Sequence, residues 1–583
     1  MDFYNLPVEI IFMLKNFMKE EDWVCFLSAF GMMNILRSST SIKLENHNSE
    51  EYYNNKTFRD YIDELMYSKS DQLSINFIDN EDVSDDRIAF INDRIDFSVF
   101  HCIYELSIND CNSITRISNL SNIQLLSIIS CDSLTSISNL KNIRSLTIMN
   151  TPSLTEISGF RNIRKVDLHS LYDLVDITAL SDCYDVTLYN CPLVVDFIPL
   201  SNVHILNIQS NTLSDVSPLK NVKKLTLLLC INITDLSAFH DCSIDTIYIE
   251  NCENITDVSH LKNIRSVTLS QCHGINNTTS LCNVSELNLF YCDTINSFSF
   301  TETHNLKSLE YSLIREKFDL DFLAFVPKLE KLCLNKQVGL HNINVDMLPN
   351  LKHITLKFCQ DLIDVSNLGH LYSVNLSQCN RITDVSALGN VHDLNLSYCF
   401  NITDVSALGN VHTLNLSCCY GVKDVSALGG VYDLNLSGIN NLDVSNLGNV
   451  HKLNLGSSFN PVGLKNLGNV HTLNLTYCPS LTNDDLCYLG NVHTLILIEC
   501  ENITDVTPLA KVRNLNLSEC QGVTDVSMLY RLNSLILARC ENIQNASSLY
   551  GKVPHLSFAF DEEMNFEHKY VVNCQTGDFI ELY

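Results

Sequence analysis

Cations are scarce in this sequence. Lys and Arg number 38 against 67 Asp and Glu, a formal net charge of −29 over 583 residues. So acidic a surface repels phosphate backbones and anionic lipid headgroups, and neither nucleic acid nor membrane is expected as a partner. Long apolar runs are lacking as well; none reaches the roughly 18 residues that a membrane span requires. A basic leader is missing too. Asp2 and Glu9 stand in MDFYNLPVEIIFMLKNFMKEED where a signal peptide needs Lys or Arg, and no small-residue cleavage site follows. The expected compartment is therefore the cytoplasm or nucleus. There, sequons such as Asn401-Ile402-Thr403 stay unglycosylated, and the 24 Cys read as free buried thiols rather than a disulfide scaffold. No phosphate-binding loop, Ser-His-Asp arrangement or metal-ligand spacing stands out, so no enzyme activity, cofactor or metal is expected. With 45% hydrophobic and 18% charged residues, the chain has the composition of an ordinary folded protein.

What is present in abundance is a repeat. Residues 391–410 read VHDLNLSYCFNITDVSALGN and residues 411–430 read VHTLNLSCCYGVKDVSALGG. A period of about 20 residues marks a solenoid. Val391, Leu394, Leu396 and Cys399 spell L-x-x-L-x-L-x-x-C, and Ile402, Val405 and Leu408 follow as further apolar positions. This pattern resembles the leucine-rich repeat. It recurs from about Ile103 to Cys540, in about 22 copies counted by the central L-x-L pair, from Leu106-Ser107-Ile108 to Leu535-Ile536-Leu537.

Each L-x-L pair is expected to be a short strand with alternate side chains inward, and parallel strands about 4.8 Å apart would stack into a strip roughly 100 Å long. No coil can bury its apolar side alone, so stacking makes one continuous core, with Leu394, Leu414 and Leu434 in one row. Cys379, Cys399 and Cys419 form a row at the turn after the strand. The resemblance implies that this position bonds backbone of the neighbouring coil, which a thiol does weakly while packing as a small hydrophobe. Phe400 to Asn410 is too short for a full helix and two turns, so extended or 3₁₀ segments are expected on the convex side. Asp404-Val405-Ser406 reads as a side-chain cap opening such a turn. Gly409 and Asn410 read as a turn with unusual backbone angles. Between about Asn296 and Asn350 the coils lengthen and become more charged, although Leu329, Leu332 and Leu334 keep the pattern. That stretch is read as a loop on the binding side or a bend.

Residues 1–44 differ. Leu6-Pro7-Val8-Glu9 is followed by apolar positions at Ile10, Ile11, Leu14, Phe17 and Met18, then Asp22-Trp23 and Phe26. Proline at a helix start, followed by apolar residues three or four apart, predicts a helical hairpin. The order L-P-x-E, an apolar pair, a second apolar pair, then Asp and an apolar residue resembles the F-box, with Leu6, Pro7, Glu9, Leu14, Phe17, Met18, Asp22 and Trp23 in register. Ser28 to Leu44 departs from that pattern, and the basic and Trp positions frequent late in the motif are missing. An F-box followed by leucine-rich repeats is similar to substrate receptors of SCF-type ubiquitin ligases. The near-identical, Asn- and Ile-rich repeats also look like F-box and repeat proteins of large DNA viruses of amoebae, which would put the chain in host cytoplasm or nucleus.

The expected architecture is an α/β repeat protein: a small all-α F-box-like segment (1–44), a helical linker and N-terminal cap (45–100), a leucine-rich-repeat solenoid with a parallel concave sheet and short 3₁₀ or extended convex segments (101–550), and a C-terminal cap (551–583). The resemblance implies a Skp-type adaptor and cullin complex as partners, contacted through Leu6, Pro7, Glu9, Ile10, Leu14, Phe17, Met18, Asp22 and Trp23. A target protein would lie on the concave face, where Asn375, Asn395, Asn415, Asn435, Asn454, Asn474 and Asn516 recur and Ile496 and Ile536 replace them. The alternative is a leucine-rich-repeat scaffold or inhibitor with no ubiquitin role. The His residues that precede the strands (His392, His412, His451, His471, His493) read as stacked neutral imidazoles, since adjacent imidazolium ions repel.

Overall fold

The computed structural model describes residues 41–45, 72–78, 569–572, 579–582 and 104–558, the last apart from short stretches of which 296–304 and 313–319 are the longest. The F-box-like positions Leu6 to Trp23 and most of the helical linker expected at 45–100 lie outside the described residues. The chain divides into two compact units. Unit one runs to Val284 and includes Cys292–Ile295; unit two comprises Ser285–Tyr291 and the chain from Asn296 to Glu581.

Unit one is a ladder of parallel five-residue strands. Glu105–Asn109, Leu125–Ile129, Ser145–Met149, Lys165–His169, Asp185–Tyr189 and Ile205–Gln209 start 20 residues apart and pair in register, Leu106 with Leu126 and Leu126 with Leu146. The alternation drives this. Leu106 and Ile108 are buried while Glu105, Ser107 and Asn109 face outward. The ladder begins earlier than position 101: Ser41–Glu45 pairs with Gln72–Ile78, which pairs with Glu105–Asn109. Ile42-Lys43-Leu44 and Ile75-Asn76-Phe77 carry the period-2 pattern.

The opposite side of the coil changes form within unit one, and one residue type accounts for it. Asp176, Asp196, Asp215, Asp235 and Asp257 each accept, through Oδ1, the backbone N–H two residues on, at 2.7–2.9 Å. Each such bond opens a 3₁₀ turn, from Thr178–Leu180 to Ser259–Leu261. In the first three coils the same position holds Arg116, Ser136 and Glu156. There the segment stays extended, and Arg116–Ser118, Ser136–Ser138 and Glu156–Ser158 pair as a second parallel sheet.

Unit two begins with five-residue strands (Glu286–Phe290, Ser308–Ser312, Lys331–Asn335) and continues with three-residue ones from His353–Thr355 to His555–Ser557. The stretch expected to be irregular keeps its register. Leu309 pairs with Leu332 and Leu332 with Ile354, through coils of 23 and 22 residues, and Leu329, Leu332 and Leu334 are fully buried. In the regular coils Val391, Leu394, Leu396, Cys399, Ile402, Val405 and Leu408 are all buried. Burying each such aliphatic side chain is worth about 1.5–3 kcal/mol, which stacking alone makes available. The expected 3₁₀ segments are present at Ser386–Asn390, Ser406–Asn410 and Ser426–Gly430.

Gly409 and Asn410 do not serve as expected. Both lie inside a 3₁₀ turn, and neither has positive φ. Gly409 is needed for space: a Cβ there would run into the carbonyl oxygen of Ala427 on the next coil, and Gly389 stands in the same relation to Ala407. The left-handed residues are instead those just before the Cys position, among them Gln378 (φ 62°), Tyr398 (φ 60°) and Cys418 (φ 57°). That conformation aims the N–H of Tyr398 at the Ser417 carbonyl, 2.8 Å away, which holds consecutive coils together where the strand ends.

Candidate functional site

The outward strand positions form a face that the coils do not use for their stacking core. In unit two the central residue of this face is Asn375, Asn395, Asn415, Asn435, Asn454 and Asn474, all half-buried. Their side chains are partly committed. Leu396 N–H and Tyr398 N–H bond the next coil, but Ser397 N–H points the other way, and Asn395 Oδ1 accepts it at 2.9 Å. The same bond recurs from Ser377, Ser417, Ser437, Gly456 and Thr476 to the Asn two residues before each, at 2.8–3.1 Å. Asn therefore terminates the short strand, and its carboxamide NH₂ is what it can offer a partner. The first five of the 20-residue coils of unit one have Ser107, Ser127, Thr147, Asp167 and Thr187 there instead, and Asn appears next at Asn207.

The end of this row departs from expectation. Asn516 is 1% exposed and Ile536 6%, whereas Ile496 is half-buried. Asn516 Oδ1 takes both the N–H and the hydroxyl of Ser518. Asn516 and Ile536 are thus packed and do not present a contact surface. The sequence pattern alone could not reveal this, because the coil motif is the same at buried and open positions.

Beside the Asn row runs a column of rings. His392 stacks on His412 with centroids 4.5 Å apart and planes 14° off parallel; His451–His471 and His471–His493 stack at 4.4 and 4.2 Å. Tyr372 and Tyr432, at the same repeat position, complete the column: Tyr372–His392 is 4.6 Å and His412–Tyr432 is 4.8 Å. The two tyrosines are legible in the sequence, since Tyr372 and Tyr432 replace His one period away. Four of the five imidazoles are oriented by the next residue: His392 Nδ1 lies 2.8 Å from Asp393 Oδ1, and His412, His471 and His493 Nδ1 lie 3.1–3.3 Å from the hydroxyls of Thr413, Thr472 and Thr494. Burial, then the imidazoles of His493 and His451 and the Lys452 ammonium, hold His471 below the ordinary histidine pKa. Among the described residues, His392, Asp393 and His412 form a group of three whose ligand atoms lie within 4.8 Å of one another.

The cysteine and aspartate rows are structural. Cys379, Cys399 and Cys419 Sγ donate to the carbonyls of Leu356, Leu376 and Leu396 on the preceding coil, at 2.9–3.1 Å. Burial pushes Cys399 up to about 11 and Cys419 to about 12, so these thiols stay protonated and unreactive. Asp384, Asp404 and Asp424 each cap their own turn at 2.9 Å. Bonds from the Ser406 hydroxyl and N–H hold Asp404 below the usual carboxylate range, against the opposing charges of Asp384 and Asp424. A feature the sequence reading missed is an apolar set in unit one: Val175 and Val195, one period apart, are 54% and 67% exposed, with Ile198 at 66%. Its signal is a break in pattern, Val and Ile where most coils carry Thr or Ser.

The array is a leucine-rich-repeat solenoid. That assignment rests on the parallel register, the coil period and the buried rows. No family model matches the chain, and no curated protein matches it. Among solved structures, it is similar to the TLR13–ssRNA13 complex, at 16% identity and a TM-score of 0.49, over 83% of this chain and 87% of that one. It is similar to the mouse RP105/MD-1 complex at 15% identity and a TM-score of 0.45, over 75% of this chain and 87% of that one. It is also similar to an internalin from Listeria monocytogenes at 20% identity and a TM-score of 0.21, over 61% and 80%. A solenoid of this kind offers an extended sheet face. Among the described residues no helix is long and apolar enough to cross a membrane.

Proposed function

We propose that this chain is the non-catalytic substrate-recognition subunit of an SCF-type E3 ubiquitin ligase. The opening segment, through Leu6, Pro7, Glu9, Ile10, Leu14, Phe17, Met18, Asp22 and Trp23, docks on a Skp-type adaptor within the cullin complex. The sheet face of the repeats, with Asn375 to Asn474 and Ile496 among its contacts, holds the protein to be modified. The observation that carries this reading is an outward strand face left over by the stacking core, preceded in the same chain by the L-P-x-E helical signature. The mechanism is proximity: a target lysine held near the charged conjugating enzyme reacts at a raised effective concentration, with no chemistry contributed by this chain. The net charge of −29 supports a protein target rather than nucleic acid or an anionic membrane.

The test is co-purification from cells. Wild type is expected to bring down a Skp-type adaptor, and the double variant Leu6→Ala, Pro7→Ala to lose it. If wild type recovers no adaptor, the ubiquitin reading falls, and the chain is a leucine-rich-repeat scaffold or regulatory protein.

A further inference from the structure

We propose that His392, Asp393 and His412 form a surface site for a first-row divalent transition ion of the zinc, nickel and copper class. Parallel register places Asp393 beside Thr413, and so sets His392 and His412, the residues before them, side by side on consecutive coils. The two rings stack at 4.5 Å and the Asp393 carboxylate lies 2.8 Å from His392 Nδ1. One ligand atom from each of the three comes within 4.8 Å of the others. Three ligands bound to one ion at about 2.1 Å stand about 3.4–3.6 Å apart, so closing the site from separations of up to 4.8 Å takes a side-chain movement of roughly half an ångström or more for each ligand atom. Both His392 and Asp393 side chains are 40% exposed, and such a movement disturbs no core contact.

The donor chemistry selects the ion. Two neutral imidazoles and a carboxylate suit zinc, nickel and copper, whereas calcium and magnesium prefer all-oxygen shells. The ring column singles out this pair. Tyr372 packs on the outer side of His392 and Tyr432 on the outer side of His412, at 4.6 and 4.8 Å. The tyrosines flank the two imidazoles and set this pair apart from the run His451, His471, His493; to share one ion the two stacked rings tilt toward each other, which their exposure on the surface allows. That run offers no equivalent carboxylate: its neighbours along the strands are Thr472 and Thr494, and the Lys452 ammonium adjoins it. At Asp393 the cross-strand neighbours are Ser373 and Thr413, so no cation competes there along the strand ladder. The site is independent of the adaptor reading, since it involves no residue of the opening segment.

The experiment is zinc titration of the full chain by calorimetry, with the variants His392→Gln, His412→Gln, Asp393→Asn and, as a control in the same column, His471→Gln. One zinc equivalent is expected in wild type and in H471Q, and is lost in H392Q and H412Q. D393N should weaken binding about ten-fold or more, whether Asp393 ligates directly or orients His392. Cobalt in place of zinc should show visible ligand-field bands without thiolate charge transfer. A variant-free check is protection of His392 and His412 from diethyl pyrocarbonate by zinc in wild type, mapped by mass spectrometry. Undiminished zinc uptake by both H392Q and H412Q, a thiolate charge-transfer band, or no protection of these two rings would each overturn the proposal.

Discussion

At the residue scale, one side-chain choice per coil decides how the backbone closes. Asp404 Oδ1 accepts Ser406 N–H at 2.9 Å, and the same bond recurs at Asp364, Asp384, Asp424, Asp505 and Asp525. Asn does the same work in Asn277 and Asn344, which accept from Thr279 and Asp346 at 2.8 Å. The two residues differ in titration. The Asp carboxyls are held below their ordinary pKa in the fold, by the Ser hydroxyl and backbone N–H in Asp384, Asp404 and Asp424. Their folded-state pKa values are depressed, so their contribution is full above the unfolded value near pH 4 and is lost as pH falls through the folded values. Replacing Asp384, Asp404 and Asp424 together by Asn keeps the caps and removes the titration. The urea midpoint of the triple variant should therefore drop less between about pH 6 and pH 3 than that of wild type. Equal drops would mean that other carboxyls govern acid unfolding. These caps were readable as Asp-x-Ser in the sequence, because the bond spans two residues and needs no distant partner.

At the scale of the element, the coil is a balance between a strand that needs neighbours and a turn that needs room. The three-residue strand ends where Asn395 takes Ser397 N–H, and the left-handed Tyr398 then redirects the chain. On the opposite side the 3₁₀ turns approach so closely that Gly409 faces the Ala427 carbonyl with no space for a methyl group. Gly409→Ala should destabilise the protein by about 1–3 kcal/mol through forced displacement of backbone. The exposed neighbour change Asn410→Ala should stay within about 0.5 kcal/mol. Urea denaturation of both variants checks the pair, and equal effects would refute the close-packing argument. The role of Gly409 was misread from sequence for a physical reason: a glycine that provides backbone angles and one that provides space look alike until the next coil is placed. The same holds for Asn395. The letter suggests a contact residue, whereas its oxygen closes its own strand.

At the scale of the whole molecule, near-identical coils imply interchangeable coils. Leu394 pairs with Leu414 and Leu414 with Leu434, and the Cys, Asp and Gly rows keep the same spacing. Removing residues 391–410 joins Asn390 to Val411 and recreates the strand pairing and the buried Leu, Val and Cys contacts of the lost junction. That deletion should leave a folded protein with a single cooperative melt and native-like far-UV circular dichroism, because stability in such arrays is a sum of coil and nearest-neighbour terms. Removing 391–400 alone, half a coil, should not fold, since it breaks the rows in register. If both deletions behave alike, the rows do not govern assembly.

The sequence by itself determined the period, the inward rows, the thiol and Asp bonds and the 3₁₀ turns, because each follows from contacts within one coil or between copies of one motif. Only the tertiary structure decided which outward residues stay open. Asn474 and Asn516 carry the same letter in the same register, yet the first is half-buried and the second fully buried. Exposure depends on what packs nearby in space, and a repeated motif cannot encode that. The pairing of His392, Asp393 and His412 is likewise a product of register: residues 20 apart in sequence meet only when two coils lie side by side.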